Sequence, residues 1–97
     1  MLVIQGPGWE ARRVPLTPRD RAILDFEREW WSLPGPKDQA IRDTLSLSPT
    51  RYYELLADLL DSEDALEYDP LVVRRLRRIR ERRRRARWEG RPADGGR

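Results

Sequence analysis

Ninety-seven residues without cysteine or histidine hold one small domain, with core enough for three or four helices and too little for a deep substrate cavity. The missing cysteines exclude disulfides and thiolate metal sites, which fits the cytoplasm. The missing histidines remove the usual general base, metal ligand and neutral-pH switch. Charge is split along the chain: residues 1–69 carry eight Lys or Arg against fourteen Asp or Glu, a net of −6, and residues 70–97 carry twelve Arg against three acids, a net of +9. An acidic body with a basic end points to a polyanionic partner.

Residues 1–16 read as an extended arm punctuated by Pro7, Gly8 and Pro15, with Trp9 packing on the body and Arg12 and Arg13 free to touch a phosphate. The opening MLVIQGPGWEARR breaks after three apolar residues following Met1, so no signal peptide is expected, and no apolar run reaches the roughly 20 residues that span a bilayer. The first helix starts at Thr17-Pro18, where Thr17 caps, Pro18 takes the first position and Asp20 sits near the positive end of the helix dipole. Ile23, Phe26 and Trp30 form its inward stripe, widened by Leu24 and Trp31, while Arg19, Arg21, Asp25 and Arg28 take the wet side. Leu33-Pro34-Gly35-Pro36 ends it.

A second helix is predicted from about Lys37 to Leu45, burying Ala40, Ile41 and Leu45. After the tight stretch Ser46-Leu47-Ser48, a third helix opens on Ser48-Pro49 and runs to about Leu60. Tyr52, Leu55, Leu56 and Leu59 face inward, Thr50, Arg51, Glu54 and Asp58 face outward, and Tyr53 lies at the boundary. Asp61-Ser62 interrupts, Glu63 to Leu66 make one short turn, and Asp69-Pro70 caps and launches a last helix with the seam Val72, Leu76 and Ile79. Beyond Ile79 arginines occupy the seam positions, so that helix docks by its first half and projects by its second. The expected division is an N-terminal arm (1–16), a helix-turn-helix core (17–61), a linker turn with the basic helix (62–89) and a disordered tail (90–97).

Two features carry chemistry. The 37–60 stretch has the pattern of a helix-turn-helix, whose second helix enters the major groove with its first-turn side chains. These would be Ser48, Thr50, Arg51 and Tyr53: Arg51 forks onto a guanine edge or a phosphate, Thr50 bonds either, and Tyr53 donates to a phosphate or stacks on a sugar. Glu54 and Asp58 oppose Arg51, and a purely structural three-helix core is the competing reading. The second feature is the run Arg74, Arg75, Arg77, Arg78, Arg80, Arg82, Arg83, Arg84, Arg85 and Arg87. Like charges at spacings of three and four repel by a few tenths of a kcal/mol each, and a polyanion removes that repulsion while releasing counterions. The bland alternative is a solvated helix that keeps the protein soluble. Asp38, Asp43, Asp58, Asp61, Glu63 and Asp64 lack the spacing of a calcium loop, Gly6-Pro7-Gly8 is too short to cradle phosphate, and no nucleophile sits beside a base. No enzyme activity, metal or cofactor is expected.

Leu16-Thr17-Pro18-Arg19-Asp20-Arg21-Ala22-Ile23-Leu24 resembles the opening of region 4 of bacterial sigma factors, and Ala40 to Ser48 resembles that region's helix-turn-helix. More closely, LSPTRYYELLADLLD followed by DPLVVRRLRRIRERR is similar to a family of short actinobacterial proteins of unknown function, grouped with helix-turn-helix folds. This resemblance covers about residues 16–85 and implies a fold and a host lineage, with no activity attached. Two departures stand out: Arg42 replaces the small Ala usual after the apolar residue of the first helix, and Ser46 replaces the usual turn Gly. Arg42 must therefore point past its neighbour, where it becomes an outward phosphate contact, or the two helices open slightly.

The resulting expectation is an all-α helix-turn-helix bundle with a long Arg-rich C-terminal helix, binding double-stranded DNA in the cytoplasm, on the nucleoid, as a transcriptional regulator or architectural factor. A homodimer would raise its specificity. A module that docks RNA polymerase or a transcription factor, and an RNA-binding protein, are the alternatives. No membrane partner is expected.

Overall fold

The computed structural model describes residues 15–89. The expectations for Trp9, Arg12, Arg13, the Gly6-Pro7-Gly8 stretch and residues 90–97 lie outside the described residues. Five α-helices follow one another: α1 (Pro18–Glu29), α2 (Lys37–Leu45), α3 (Pro49–Leu59), α4 (Glu63–Tyr68) and α5 (Pro70–Glu89), with one 3-10 turn at Trp30–Ser32. No strand occurs among the described residues.

Local chemistry sets each boundary. Thr17 Oγ1 accepts from the Asp20 N–H and the Asp20 carboxylate accepts from the Thr17 N–H, both at 3.0 Å, a reciprocal cap on α1. Gly35, with φ of +80°, turns the chain between Pro34 and Pro36. That left-handed conformation suits a residue without a Cβ. Ser48 Oγ accepts from the Arg51 N–H at 3.1 Å, and Ser62 Oγ from the Ala65 N–H at 3.0 Å, so α3 and α4 each carry a one-way side-chain cap. Asp69 Oδ1 accepts from the Val72 N–H at 3.2 Å and opens α5. The stretch expected as a linker turn is mostly helix α4.

The core gathers one stripe from each helix. Ile23, Leu24 and Phe26 of α1 meet Ile41 of α2, Tyr52, Leu55 and Leu59 of α3, Ala65 of α4, and Val72 and Val73 of α5. Phe26 and Tyr52 pack edge to face, with ring centroids 5.6 Å apart, a geometry favoured by their quadrupoles. α3 packs on α1 and α2, while α5 packs on α1 and α4. Residues 81–88 of α5 are all exposed, so the last two turns project as their missing apolar seam implies.

One placement differs from the expected ones. The apolar spacing puts Trp31 in the core stripe, but it is 71% exposed. α1 stops at Glu29, and the 3-10 turn that follows advances each residue by about 120° rather than 100°, which swings Trp31 off the stripe. Its Nε1 donates to the Arg28 carbonyl at 2.9 Å. Arg28 is exposed, as its place on the wet side implies, and its Nε and Nη2 also reach Asp69 Oδ2 at 2.9 and 2.8 Å. It thus ties α1 to the cap of α5, and that carboxylate holds the guanidinium pKa above its ordinary value.

Candidate nucleic-acid interface

The α2–turn–α3 unit hinges on Ser46. It adopts φ 57° and ψ 37°, and its N–H donates to the Arg42 carbonyl at 3.1 Å. This left-handed residue ends α2, and the chain is extended at Ser48 where it enters α3. Arg42 is exposed on the last turn of α2, so it points past its neighbours. Thr50 and Arg51 are exposed on the first turn of α3. The Ser48 oxygen caps α3, leaving only its hydroxyl hydrogen to donate. Arg51 Nη1 lies 3.1 Å from Glu54 Oε1, with both side chains more than half exposed. An ion pair this open is worth about 0–1 kcal/mol and gives way readily to a phosphate.

Tyr53 is 43% exposed. It stands edge-on to Tyr52 at 5.0 Å, and Lys37 Nζ lies 5.3 Å from its ring. It lines the space between α3 and α5, on the opposite side of α3 from Arg51 and about 60° around the helix from Thr50.

The arginines of α5 fall into distinct groups. Arg77 Nε donates to the Leu60 carbonyl at 2.7 Å, and Arg75 Nη2 to the Glu27 carbonyl at 3.4 Å. Both satisfy carbonyls at helix C-termini, where the backbone dipole favours a cation. These two hold the body together. Arg80 pairs with Asp61 at 3.2 Å, and Arg84 pairs with Glu81 one turn away. Arg74, Arg78, Arg82 and Arg85 are exposed and, at 100° per residue, share the face of α5 turned away from the body. Among the described residues Arg74, Arg78 and Arg82 have no ion-pair partner, and Arg85 touches Glu81 only at 4.0 Å. Arg83 lies on the opposite side, beside α3.

One polar cluster escaped the sequence reading. Glu27 is only 1% exposed. Its Oε2 accepts the Tyr52 hydroxyl and pairs with Lys37 Nζ at 2.8 Å. Lys37 in turn sits 5.0 Å from the Trp30 ring, within cation–π range. Burial first, and then the charge of Glu27, raise the Tyr52 phenol far above its ordinary pKa. A signal was present: Ile23, Phe26, Glu27 and Trp30 follow at i, i+3, i+4 and i+7, so the carboxylate stands inside the apolar stripe. At the surface, a hydrogen bond to Asp25 raises the Tyr68 phenol.

Among the described residues no cluster of His, Cys, Asp and Glu is placed to hold a metal, and no helix is long and apolar enough to cross a membrane. The described part is thus an all-α bundle in which a helix, a left-handed turn and a capped helix stand beside a long arginine-bearing helix. The family model described as "Protein of unknown function (DUF3263)" matches residues 15–88, and the chain belongs to that family. No curated protein and no solved structure matches it.

Proposed function

We propose that this is a double-stranded-DNA-binding protein acting as a transcriptional regulator or nucleoid-associated factor. In this reading α3 enters the major groove and presents Thr50 and Arg51 to bases and phosphates. The outer face of α5 grips the backbone through Arg74, Arg78, Arg82 and Arg85. The observation that carries the proposal is that outer face: four arginines, exposed and aligned, with little carboxylate to balance them. A helix keeps such a face against its own repulsion when a polyanion neutralises it. The left-handed Ser46 supports kinship with the helix-turn-helix of sigma factor region 4, because it adopts at the turn the conformation that a glycine ordinarily supplies. An actinobacterial host and a nucleoid location belong to the same proposal.

Titration of a labelled duplex across salt concentrations tests it. Four neutralised phosphates give a log–log salt slope of about −3 to −4. Replacing Arg74, Arg78 and Arg82 together by Ala should flatten that slope and weaken all sequences alike, while Arg51→Ala should erode only the preference between sequences. Unchanged binding by both variants at low and high salt would refute the reading. Tighter binding to structured RNA than to duplex DNA would move the same arginines to an RNA partner.

A further inference from the structure

A groove of about 710 Å³ runs between α3 and α5. One wall is the α3 stripe Tyr53, Leu56, Ala57 and Leu60, and the other is the α5 stripe Leu76, Ile79, Arg83 and Arg87. Trp30 and Trp31 line it from the 3-10 turn. Both stripes repeat at spacings of three and four, so two nearly continuous helix faces enclose the space. Leu76 to Arg87 spans about 16 Å of helix axis, or about three turns. The apolar part is left partly uncovered: Leu76 and Ile79 are half-buried, and Tyr53 and Trp31 are exposed. The groove is chemically unsuited to a sugar-phosphate chain, whose charged oxygens would lie against leucine, isoleucine and indole.

The charge of the groove identifies what fits it. Two of its cations are already balanced, Lys37 by Glu27 and Arg80 by Asp61. Arg83 and Arg87 are exposed and have no ion-pair partner among the described residues. A complementary occupant therefore has apolar side chains along one stripe and carboxylates at the end that meets Arg83 and Arg87. The chain's own opening, MLVIQGPGWEARR, is a poor match: it carries one acid against two arginines and is broken by Gly6-Pro7-Gly8. Among the described residues, the apolar stripes of α1, α2, α3 and α4 are already spent in the core and α5 is dense with arginine rather than carboxylates, so a second copy has no free acidic helix to offer.

We propose that this groove docks an acidic amphipathic helix, about three turns long, from another protein. Leu76, Ile79 and the indole of Trp31 cover its apolar stripe, and Arg83 and Arg87 pair with its carboxylates. This is helix-in-groove recognition. It uses the side of α5 opposite Arg74, Arg78 and Arg85, so it stands independently of the DNA-binding reading.

The test uses the full chain and three labelled synthetic peptides of about 14 residues, followed by fluorescence anisotropy. The first carries Leu at i, i+3, i+4 and i+7 with Glu beside that stripe and Ala and Gln behind it. The second has the same composition scrambled, and the third has Lys in place of Glu. The first alone should bind. Ala57→Arg should weaken it about tenfold although it adds positive charge, because the exposed Ala57 position fills the groove when enlarged. Arg83→Gln with Arg87→Gln, two exposed and unpaired positions, should weaken it to a similar degree, and circular dichroism checks that both variants are folded. Equal binding of the scrambled peptide, or of the patterned peptide to Ala57→Arg, would mean attraction by charge alone and would overturn the proposal. So would equal binding of the Lys peptide, no binding at all, or concentration-dependent self-association abolished by Ala57→Arg. Duplex affinity of Ala57→Arg, measured in parallel, should be no weaker than that of the parent, because the variant adds a cation, which separates failure here from failure of the DNA reading.

Discussion

Replacing Lys37 with Met removes the one cation that, among the described residues, pairs with the Glu27 carboxylate, a residue only 1% exposed. At 2.8 Å the gross attraction is about 6 kcal/mol for an effective dielectric of 20, but most of that offsets the desolvation of Glu27. Breaking one side of a buried pair typically costs about 3–5 kcal/mol. The Lys37 side chain keeps 23% of its surface in water, and the Tyr52 hydroxyl remains to share the charge, so the expected loss is about 2–3 kcal/mol. A domain of this size has roughly 4–11 kcal/mol in all, so the variant should stay folded with its urea midpoint lowered by about 2–3 M for a slope near 1 kcal/mol per M. The double variant Glu27→Gln, Lys37→Met leaves no stranded charge, and Gln still accepts from Tyr52. It should recover at least half of the loss. Urea unfolding followed by tryptophan fluorescence and circular dichroism, arranged as a double-mutant cycle, gives both numbers. A loss under about 0.5 kcal/mol for Lys37→Met, or a double variant no more stable than the single one, would refute the view that this pair ties α1 to α2 and α3.

Three further outcomes follow from the same contacts. The Tyr52 phenol, raised above its ordinary value of 10.0 by burial and by Glu27, stays neutral in the folded chain when the unfolded chain ionises. Its contribution is therefore complete below about pH 10 and is lost as pH climbs beyond it; Tyr52→Phe should show a shallower fall of stability between about pH 10 and 11 in alkaline unfolding curves. Ser46→Gly relieves a side chain held at φ 57° but adds freedom to the unfolded chain, and the balance should be a gain of roughly 0.5 kcal/mol in urea unfolding. Arg77→Ala and Arg78→Ala should part company. The first strands the Leu60 carbonyl and should cost about 1–2 kcal/mol of stability with no change in salt slope, whereas the second should leave stability within about 0.5 kcal/mol and flatten the duplex-binding slope by about 0.9.

Much of the fold was legible because its signals are local. Each cap is a side chain reaching a backbone N–H three residues on, at Thr17, Ser48 and Asp69, and each prolyl start at Pro18, Pro49 and Pro70 needs only the residue itself. Periodicity placed the inward stripe of α3 and the point on α5 beyond Ile79 where docking stops. Periodicity puts Trp31 in the stripe because it assumes that a helix continues, and α1 gives way to a 3-10 turn at the tryptophan pair itself. Glu27 was passed over because pattern reading treats a carboxylate as solvated, and its partner Lys37 and hydroxyl donor Tyr52 lie 10 and 25 positions away.

For the candidate interface, composition and spacing determined that α2, the turn and α3 would form and that the chain would end in a helix dense with arginine. Only the packed structure decided what each arginine is for. Arg75 and Arg77 answer carbonyls of α1 and α3, Arg83 turns toward the groove, and Arg74, Arg78 and Arg82 are left facing outward. A sequence lists charges without their surroundings. Whether a guanidinium caps its own fold or is free to grip another molecule depends on which acceptors the tertiary packing brings within about 3 Å of it.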